Sequence, residues 1–400
     1  MNLYNLCVTS NDSSIRRVLV VGMLDSVHMY RWLSQFTDSD VIFKLLPSKK
    51  FKRIHPGIIE LVKSDSRKFQ IATYGFTRAM LGYQDYFLNF SIQWLVKFNF
   101  RKRLLEKSIH SWRPHIVHGI EIQGAGYLID SIISEKYLNE EKSIKFIITN
   151  FGSDIYYFQH KSDHREIISR LLSKIDYYSA ECERDYSLAK DLGFKGKFLD
   201  CMPNAGGFDN VGRETQIGFQ DRNLILFKCY GGEFGLGKLA VKIARKVLDT
   251  NSQISIFLYS VTQDLVQLVI NLEKEFPNRL KYSTTKNPLT HRQMLDKFKL
   301  AKIYVGLSRS DGIGTSFLES LVYGAYPIQT DTSCISEWIK KGVIASQVSQ
   351  DEDNILNEIN RILYSRNFKE EHFQDSNLLI ARKELDSKVL KLKAVNYYKI

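Results

Sequence analysis

The 400-residue sequence predicts an α/β protein built as two Rossmann-like domains, each a parallel sheet with helices on both faces. Three observations carry that prediction. Short apolar runs alternate with amphipathic stretches of helical period along most of the chain. The length exceeds what one core usually supports. The polar stretch NAGGFDNVGRETQIGFQDRN (204–223) holds no core-forming run and divides two similar series of elements.

In the first series the candidate strands are RVLVVG (17–22), VIFKLL (41–46), HIVHG (115–119), KFIITN (145–150), DYYSA (176–180) and KFLDCM (197–202). LILFKC (224–229), ISIFLYS (254–260), KIYVGLS (302–308) and YPIQT (326–330) form the second. Each is a β-branched or aromatic run bounded by turn residues. Helical patterns fill the gaps at 26–36, 86–108, 162–174, 183–192, 236–249, 262–275, 290–299 and 315–323. The expected domains are 1–205, with a basic aromatic segment at 41–110, and 206–375. A helical segment at 376–400 is expected to pack back on the first domain.

Composition narrows the class. Apolar content of 44% and charged content of 25% belong to a globular chain. Cys7, Cys182, Cys201, Cys229 and Cys334 are scattered, odd in number and form no CxxC pair. That argues against a disulfide framework or a zinc site and for a reducing compartment. No signal peptide and no run of 18 apolar residues is present, so a cytoplasmic protein is expected.

The formal charge of +12 is regional: residues 41–110 hold fourteen Lys/Arg against four acids. Aromatic residues thread the same segment, and YFLNFSIQWLVKFNFRKRLLEK (86–107) ends in a cationic cluster. This reads as a helix lying on an anionic membrane surface, which would make the protein peripheral on its inner face. The alternatives are an ordinary helix with its apolar side in the core, or nucleic-acid binding. No nucleic-acid motif accompanies the charge, so nucleic acid is not expected as a partner.

The stretch SRSDGIGTSFLESLVYGAYPIQTD (308–331) carries the chemistry. KIYVGLS is a strand, and ligands of open α/β sheets sit in the loops beyond strand carboxyl ends. Gly312 and Gly314 let backbone approach a ligand closely. The helix starting at Thr315 or Ser316 offers N–H groups and a positive dipole end to a diphosphate. Asp311 and Glu319 flank that turn, with hydroxyl-accepting carboxylates. An alternative needs no ligand: Ser316-Phe-Leu-Glu319 has the spacing of a capping box, and Asp311-Gly312 is a turn pair.

SDGIGTSFLESLVYGAYPI resembles the E-x7-E signature of the family-four GT-B glycosyltransferases, with Asp311 where the family most often has Glu and Glu319 in the second acid position. Weaker resemblances follow in the family's order. VVGMLDSVHMYRWLSQF (20–36) resembles the first strand, glycine loop and helix, with His28, Arg31 and Trp32. RPHIVHG (113–119) resembles the P-D-I-V-H strand, TNFGSDI (149–155) the H-G-S-D loop, and MPNAGGFD (202–209) the interdomain linker. KCYGGEFGLGKLAVKIARKV (228–247) resembles the loop and helix that open the second domain.

The resemblance implies a GT-B fold with two sheets facing across a cleft. It implies transfer of a sugar from a nucleotide-sugar donor to a glycan or lipid-linked glycan, with retention, no metal and no cofactor. Cell-surface polysaccharide or lipopolysaccharide synthesis is the expected setting. Catalytic roles fall to Asp311 at the sugar, Glu319 at the ribose and Lys238 at the diphosphate, with Lys228 in reserve. Gly312, Gly314, Thr315, Ser316 and Phe317 would bind the donor. Gly22, His28, Arg31, His118 and Asp154 would line the cleft on the acceptor side. Phe151 stands where many members have His before G-S-D, so His118 or His28 would serve if a histidine is needed. Two alternatives share or borrow the fold: an epimerase or phosphorylase, and a non-catalytic glycan-binding scaffold.

Asp38-Ser-Asp40 has the DxD form of metal-dependent transferases, but its place between a helix and a strand reads as a turn. GGEFGLGK lacks the G-K-[ST] of a P-loop, and GAG (124–126) does not follow a strand directly.

Overall fold

The computed structural model describes residues 15–49, 53–72, 98–133, 144–209, 211–212, 217–364 and 370–400. Two parallel sheets organise them. The first contains β1 (Arg16–Gly22), β2 (Val41–Pro47), β3 (Phe69–Ile71), β4 (Ile116–Ile120), β5 (Lys145–Thr149), β6 (Tyr177–Ser179) and β7 (Lys197–Phe198), in the order 3-2-1-4-5-6-7. The second contains β8 (Leu224–Lys228), β9 (Ser255–Val261), β10 (Leu280–Thr284), β11 (Ala301–Gly306), β12 (Tyr326–Thr330) and β13 (Ser346–Val348), in the order 10-9-8-11-12-13. Strand order reverses beside β1 and β4 in one sheet and beside β8 and β11 in the other, which opens a crevice beyond those strand ends.

Central strands are nearly continuous runs of buried residues, as parallel sheets covered on both faces require. Sequence pattern misses β3, β10 and β13. Each lies toward a sheet edge, and FQI, LKYST and SQV are short or broken by polar residues.

Helices beyond the expected set include Pro56–Ser64, Glu352–Tyr364 and Glu370–Leu385. The last packs Phe373, Ala381 and Leu385 into the second domain. The chain then crosses back beside its first crossing: Phe208 N–H donates to Leu385 O at 2.8 Å and Ser387 N–H to Phe208 O at 3.1 Å. The Ser387–Asn396 helix and its tail insert Leu390, Ala394, Tyr397 and Tyr398 into the first-domain core. Each buried tyrosine removes on the order of 150–250 Å² from water, and burying a ring of that size is worth about 3 kcal/mol before entropy.

Of the basic segment's helix, Phe98–Trp112 is described. Leu104, Leu105 and Ile109 are buried in the first-domain core, and Arg101 reaches the Ser48 carbonyl. In this part the apolar stripe packs into the first-domain core, as in the ordinary-helix alternative. Residues 86–97 lie outside the described residues. No described helix is long and apolar enough to cross a membrane.

Candidate functional site

The second-domain switch point supplies the acid turn. β8 ends at Lys228, and β11 runs directly into 307–314. Side chains of β12 and the residues after it shape that loop: Ser308 N–H donates to Thr330 Oγ1 at 3.1 Å, and Thr332 Oγ1 donates to Ser308 O at 2.6 Å. On its other flank Arg309 N–H donates to Phe234 O at 2.7 Å, tying the turn to the GGEFG loop.

Gly314 caps the Thr315–Tyr323 helix without a side-chain bond, and Gly324 ends it in the left-handed conformation at φ 73°. Phe317 N–H donates to Gly314 O at 2.9 Å, and the Phe317 ring is buried against Trp338. Phe317 therefore has neither an open N–H nor an open face for a donor, which corrects its expected role. Thr315 and Ser316 are half-exposed and carry the first-turn N–H groups that no helical carbonyl takes. Gly312 and Gly314 are buried within the turn.

No capping box forms, so the ligand-free explanation of Ser316 and Glu319 loses its basis. The Glu319 carboxylate is buried and instead accepts from His291 Nε2 at 3.0 Å. His291 Nε2 also lies 2.6 Å from Arg31 Nη2, which comes from the first domain. Asp311 Oδ2 lies 3.7 Å from Lys228 Nζ. Burial pulls the Lys228 ammonium down, but Asp311, with Tyr230, Tyr259 and Glu319 behind it, outweighs burial and holds it above the ordinary lysine value. Lys238 is exposed on the first turn of the Gly237–Thr250 helix. Of the two lysines, Lys228 is the one paired to the acid turn.

The first domain closes on this turn directly. Gly152, at φ 94°, packs on Gly312 so closely that a Cβ would meet Gly312 N at 2.3 Å. Ser153 Oγ donates to Ser310 O at 3.0 Å, and Arg184 donates to Asp311 O at 3.0 Å and Thr332 O at 3.2 Å. Glu337 of the second domain accepts from the Glu183 and Arg184 N–H groups, both at 2.8 Å. Further out, Lys161 and Tyr157 meet Glu233, and the Tyr157 and Phe234 rings lie 5.1 Å apart.

His28 enters the cleft from the first turn of the Val27–Ser34 helix, with its ring 5.9 Å from Phe151. Burial, then Arg31 and Lys228, pull its pKa down to about 4 against the opposing pull of Asp311. At neutral pH it is an uncharged imidazole between the two domains. Asp154 is buried and accepts from Phe151 N–H at 2.8 Å and Ile122 N–H at 3.1 Å. Burial, helped by Asp185 and Glu121, pushes its pKa up to about 7. It braces the GSD loop and, among the described residues, makes no hydrogen bond or ion pair to the acid turn.

Two cleft assignments are corrected. His118 is fully buried in β4, with Nδ1 2.7 Å from Tyr398 Oη and Nε2 2.7 Å from Thr149 Oγ1. Burial drops its pKa to about 3, the condition of a satisfied core histidine. Gly22 is closed in by Met29, since a Cβ there would meet Met29 Cε at 1.9 Å. It serves the tight β1-to-helix packing, not an open cleft wall. Asp38 lies in a turn and pairs with Lys391 at 2.6 Å.

Sequence reasoning missed His291, Arg184 and Glu181. Glu181 follows β6 and lies beside the turn, with Oε2 3.2 Å from where a Gly312 Cβ would be. Burial pushes its pKa up to about 8 against the Asn204 N–H bond, with Asp311, Asp185 and Asp154 adding to the rise. Its position just past a strand's carboxyl end was the available signal. Glu181 also lines a cavity of about 470 Å³ with Glu337, Trp338, Lys341, Glu384 and Lys393. So charged a wall is unlike the mostly apolar lining of small-molecule pockets.

Among the described residues, Cys182, Cys334 and Glu337 place donor atoms within 4.8 Å of one another. Glu337 already spends both oxygens on the two N–H groups named above. In the first domain, Glu121 accepts from Gly124 and Ala125 N–H, both at 2.8 Å, so that loop offers its N–H groups to its own acid and not to a phosphate.

The chain matches no family model and no curated protein. Solved structures do match over nearly its full length. HepE from Anabaena, in complex with UDP-glucose, aligns with a TM-score of 0.66 at 10% identity, over 96% of this chain and 99% of that one. Sucrose-phosphate synthase from Thermosynechococcus elongatus aligns with a TM-score of 0.66 at 10% identity, over 96% and 98%. The lipopolysaccharide outer core galactosyltransferase WaaB, in its apo form, gives 0.60 at 12% identity, over 96% and 100%. At such identities the likeness is one of architecture, and with two parallel six- and seven-stranded sheets meeting across a cleft, the chain has the GT-B fold.

Proposed function

We propose that the chain is a glycosyltransferase that moves a sugar from a nucleotide-sugar donor to a glycan or lipid-linked glycan. The observation that carries this reading is the turn itself. Asp311 and Glu319 flank a glycine loop beyond β11, Lys228 pairs with the first acid, and two helix N–H groups lie between them. The likeness to HepE in complex with UDP-glucose and to the galactosyltransferase WaaB supports the donor class and a surface-glycan setting.

Leaving-group charge builds on the donor diphosphate and must meet preorganised donors. Thr315 and Ser316 N–H, with Lys228 or Lys238, fill that role. Glu319 accepts from ribose hydroxyls, and Asp311 holds the sugar for attack. His28, uncharged, faces the transferred sugar from the opposite domain. Retention of configuration and independence from metal complete the proposal, on the family resemblance of the E-x7-E stretch. Synthesis of surface polysaccharide or lipopolysaccharide places the acceptor at the cytoplasmic face of a membrane, where the regional positive charge would favour anionic lipid.

A thermal-shift panel of UDP, GDP, CMP, ADP and their sugars, on the parent and on Glu319→Ala, tests the donor site. A ligand at a hundred times its Kd adds about 2.7 kcal/mol to the bound state. A shift with one nucleotide that disappears in Glu319→Ala supports the reading, and no shift with any of them overturns it. Release of an altered sugar without any acceptor would favour an epimerase or phosphorylase instead. Equal pelleting with neutral and anionic vesicles would remove the membrane partner.

A further inference from the structure

The geometry points to His291 as a coupling residue, which converts occupation of Glu319 into closure of the two domains by changing its hydrogen-bond partner. The inference rests on Glu319 being the ribose acceptor proposed above.

One ring nitrogen serves two neighbours of opposite demand. His291 Nε2 lies 3.0 Å from Glu319 Oε1 and 2.6 Å from Arg31 Nη2. A carboxylate only accepts and a guanidinium only donates. The in-plane position on Nε2 holds either a hydrogen or a lone pair, so one tautomer cannot satisfy both. With a hydrogen on Nε2, Glu319 is bonded and Arg31 faces an N–H. With the hydrogen on Nδ1, Nε2 accepts from Arg31 and Glu319 faces a lone pair.

Surroundings decide which arrangement each state takes. Among the described residues, His291 is the sole side-chain hydrogen-bond partner of Glu319, whose side chain is only 5% exposed. A buried carboxylate left without a donor is costly, so the empty site holds the hydrogen on Nε2. A ribose diol brings O–H donors of its own. Once these occupy Glu319, the imidazole no longer needs to donate there, and its half-exposed ring exchanges the proton to Nδ1 through solvent. Nε2 then accepts from Arg31. Arg31 belongs to the first domain and His291 to the second, so the bond that replaces the lost one spans the cleft.

The backbone suits a side chain that turns while its anchor holds. His291 is the first residue of its helix, and Thr290 caps it in a full capping box with Gln293. Ring rotation there costs no helical hydrogen bond.

The test combines nucleotide binding with small-angle X-ray scattering on the full chain, using whichever of UDP, GDP, CMP or ADP stabilises the parent. The parent is expected to become more compact on nucleotide addition. His291→Ala and Arg31→Ala are expected to bind that nucleotide within about tenfold of the parent but not to compact. Their kcat should fall about tenfold with little change in KM, and the double variant should be no worse than either single one. His291→Gln has separate donor and acceptor atoms, so it should bond both neighbours at once and be compact without nucleotide. Nucleotide-driven compaction in His291→Ala equal to the parent, or losses that multiply in the double variant, would overturn the coupling and leave the donor site standing. Absence of any nucleotide binding in the parent would remove both.

Discussion

Gly152 and Gly312 meet backbone to backbone across the two domains: a Cβ on Gly152 would lie 2.3 Å from Gly312 N and 2.5 Å from its Cα. Gly193 has nearly the same backbone angle, φ 100° against 94°, but nothing lies within 4 Å of its Cβ position. The pair separates conformational strain from domain contact. Gly193→Ala should cost roughly 1–2 kcal/mol of stability, the price of the left-handed region, with transfer intact. Gly152→Ala carries a strain of its own, at φ 94° and ψ −72°, and also forces the acid turn away from the first domain. Sugar transfer should fall at least about tenfold beyond any loss of folded protein, read from urea melts and initial rates side by side. Equal behaviour of the two variants would mean that the contact does not position the turn.

Lys228 and Lys238 divide on a similar comparison. Lys228 is paired with Asp311 at 3.7 Å, whereas Lys238 is exposed one loop away. Replacing a charge that meets the developing diphosphate costs roughly 10²–10³ in kcat. That loss is expected for Lys228→Met, and a loss under about tenfold for Lys238→Met. The reverse order in initial-rate measurements would move the diphosphate to the start of the Gly237–Thr250 helix.

His28 and His118 should part in the opposite sense. His118→Phe removes one partner each from the Tyr398 hydroxyl and Thr149 Oγ1, which keep Trp32 Nε1 and Ser179 Oγ, at a cost of roughly 0.5–1.5 kcal/mol per lost hydrogen bond. The fraction that folds should bind nucleotide normally. His28→Ala should cost no more than about 1 kcal/mol of unfolding free energy, as its half-buried ring stands at the domain boundary, yet lower transfer. Loss of stability without loss of rate in His28→Ala would take it out of the site.

Glu181 makes a prediction about pH. Its pKa stands at about 8 in the folded protein against 4.5 ordinarily. The folded state therefore binds the extra proton, and the stability this contributes is complete below the ordinary value and lost as pH rises through 8. Glu181→Gln keeps an oxygen for the Asn204 N–H, bonded at 2.9 Å in the parent, and removes the titration. Its urea midpoint should exceed that of the parent at pH 9 and converge with it at pH 5. Parallel pH profiles would place Glu181 in contact with solvent.

The alternation of KIYVGLS, a glycine turn and an amphipathic helix was legible because each feature is local. Strand burial follows from continuous apolar runs, and the acid turn follows from its own residues. Those signals determined two parallel α/β units, the polar divide near 204–223 and the place of Asp311 and Glu319 relative to one strand end. Short edge strands such as SQV escaped, since three half-polar residues carry no period.

Tertiary structure alone decided what each polar side chain faces. VHG in β4 reads equally as a site histidine or a core one, and only the arrival of Tyr398, 280 residues later, makes it core. A Thr-His pair at a helix start carries no message until helix packing brings His291 to Glu319 and Arg31. Ser316 and Glu319 have capping-box spacing, yet Gly314 starts the helix without a side-chain cap, and the carboxylate goes to another helix. The physical reason is common to all three. Strand and helix patterns depend on neighbours a few residues apart, while a polar group's partner is set by other elements that the fold brings in, from 28 residues away for Glu319 to 280 for His118.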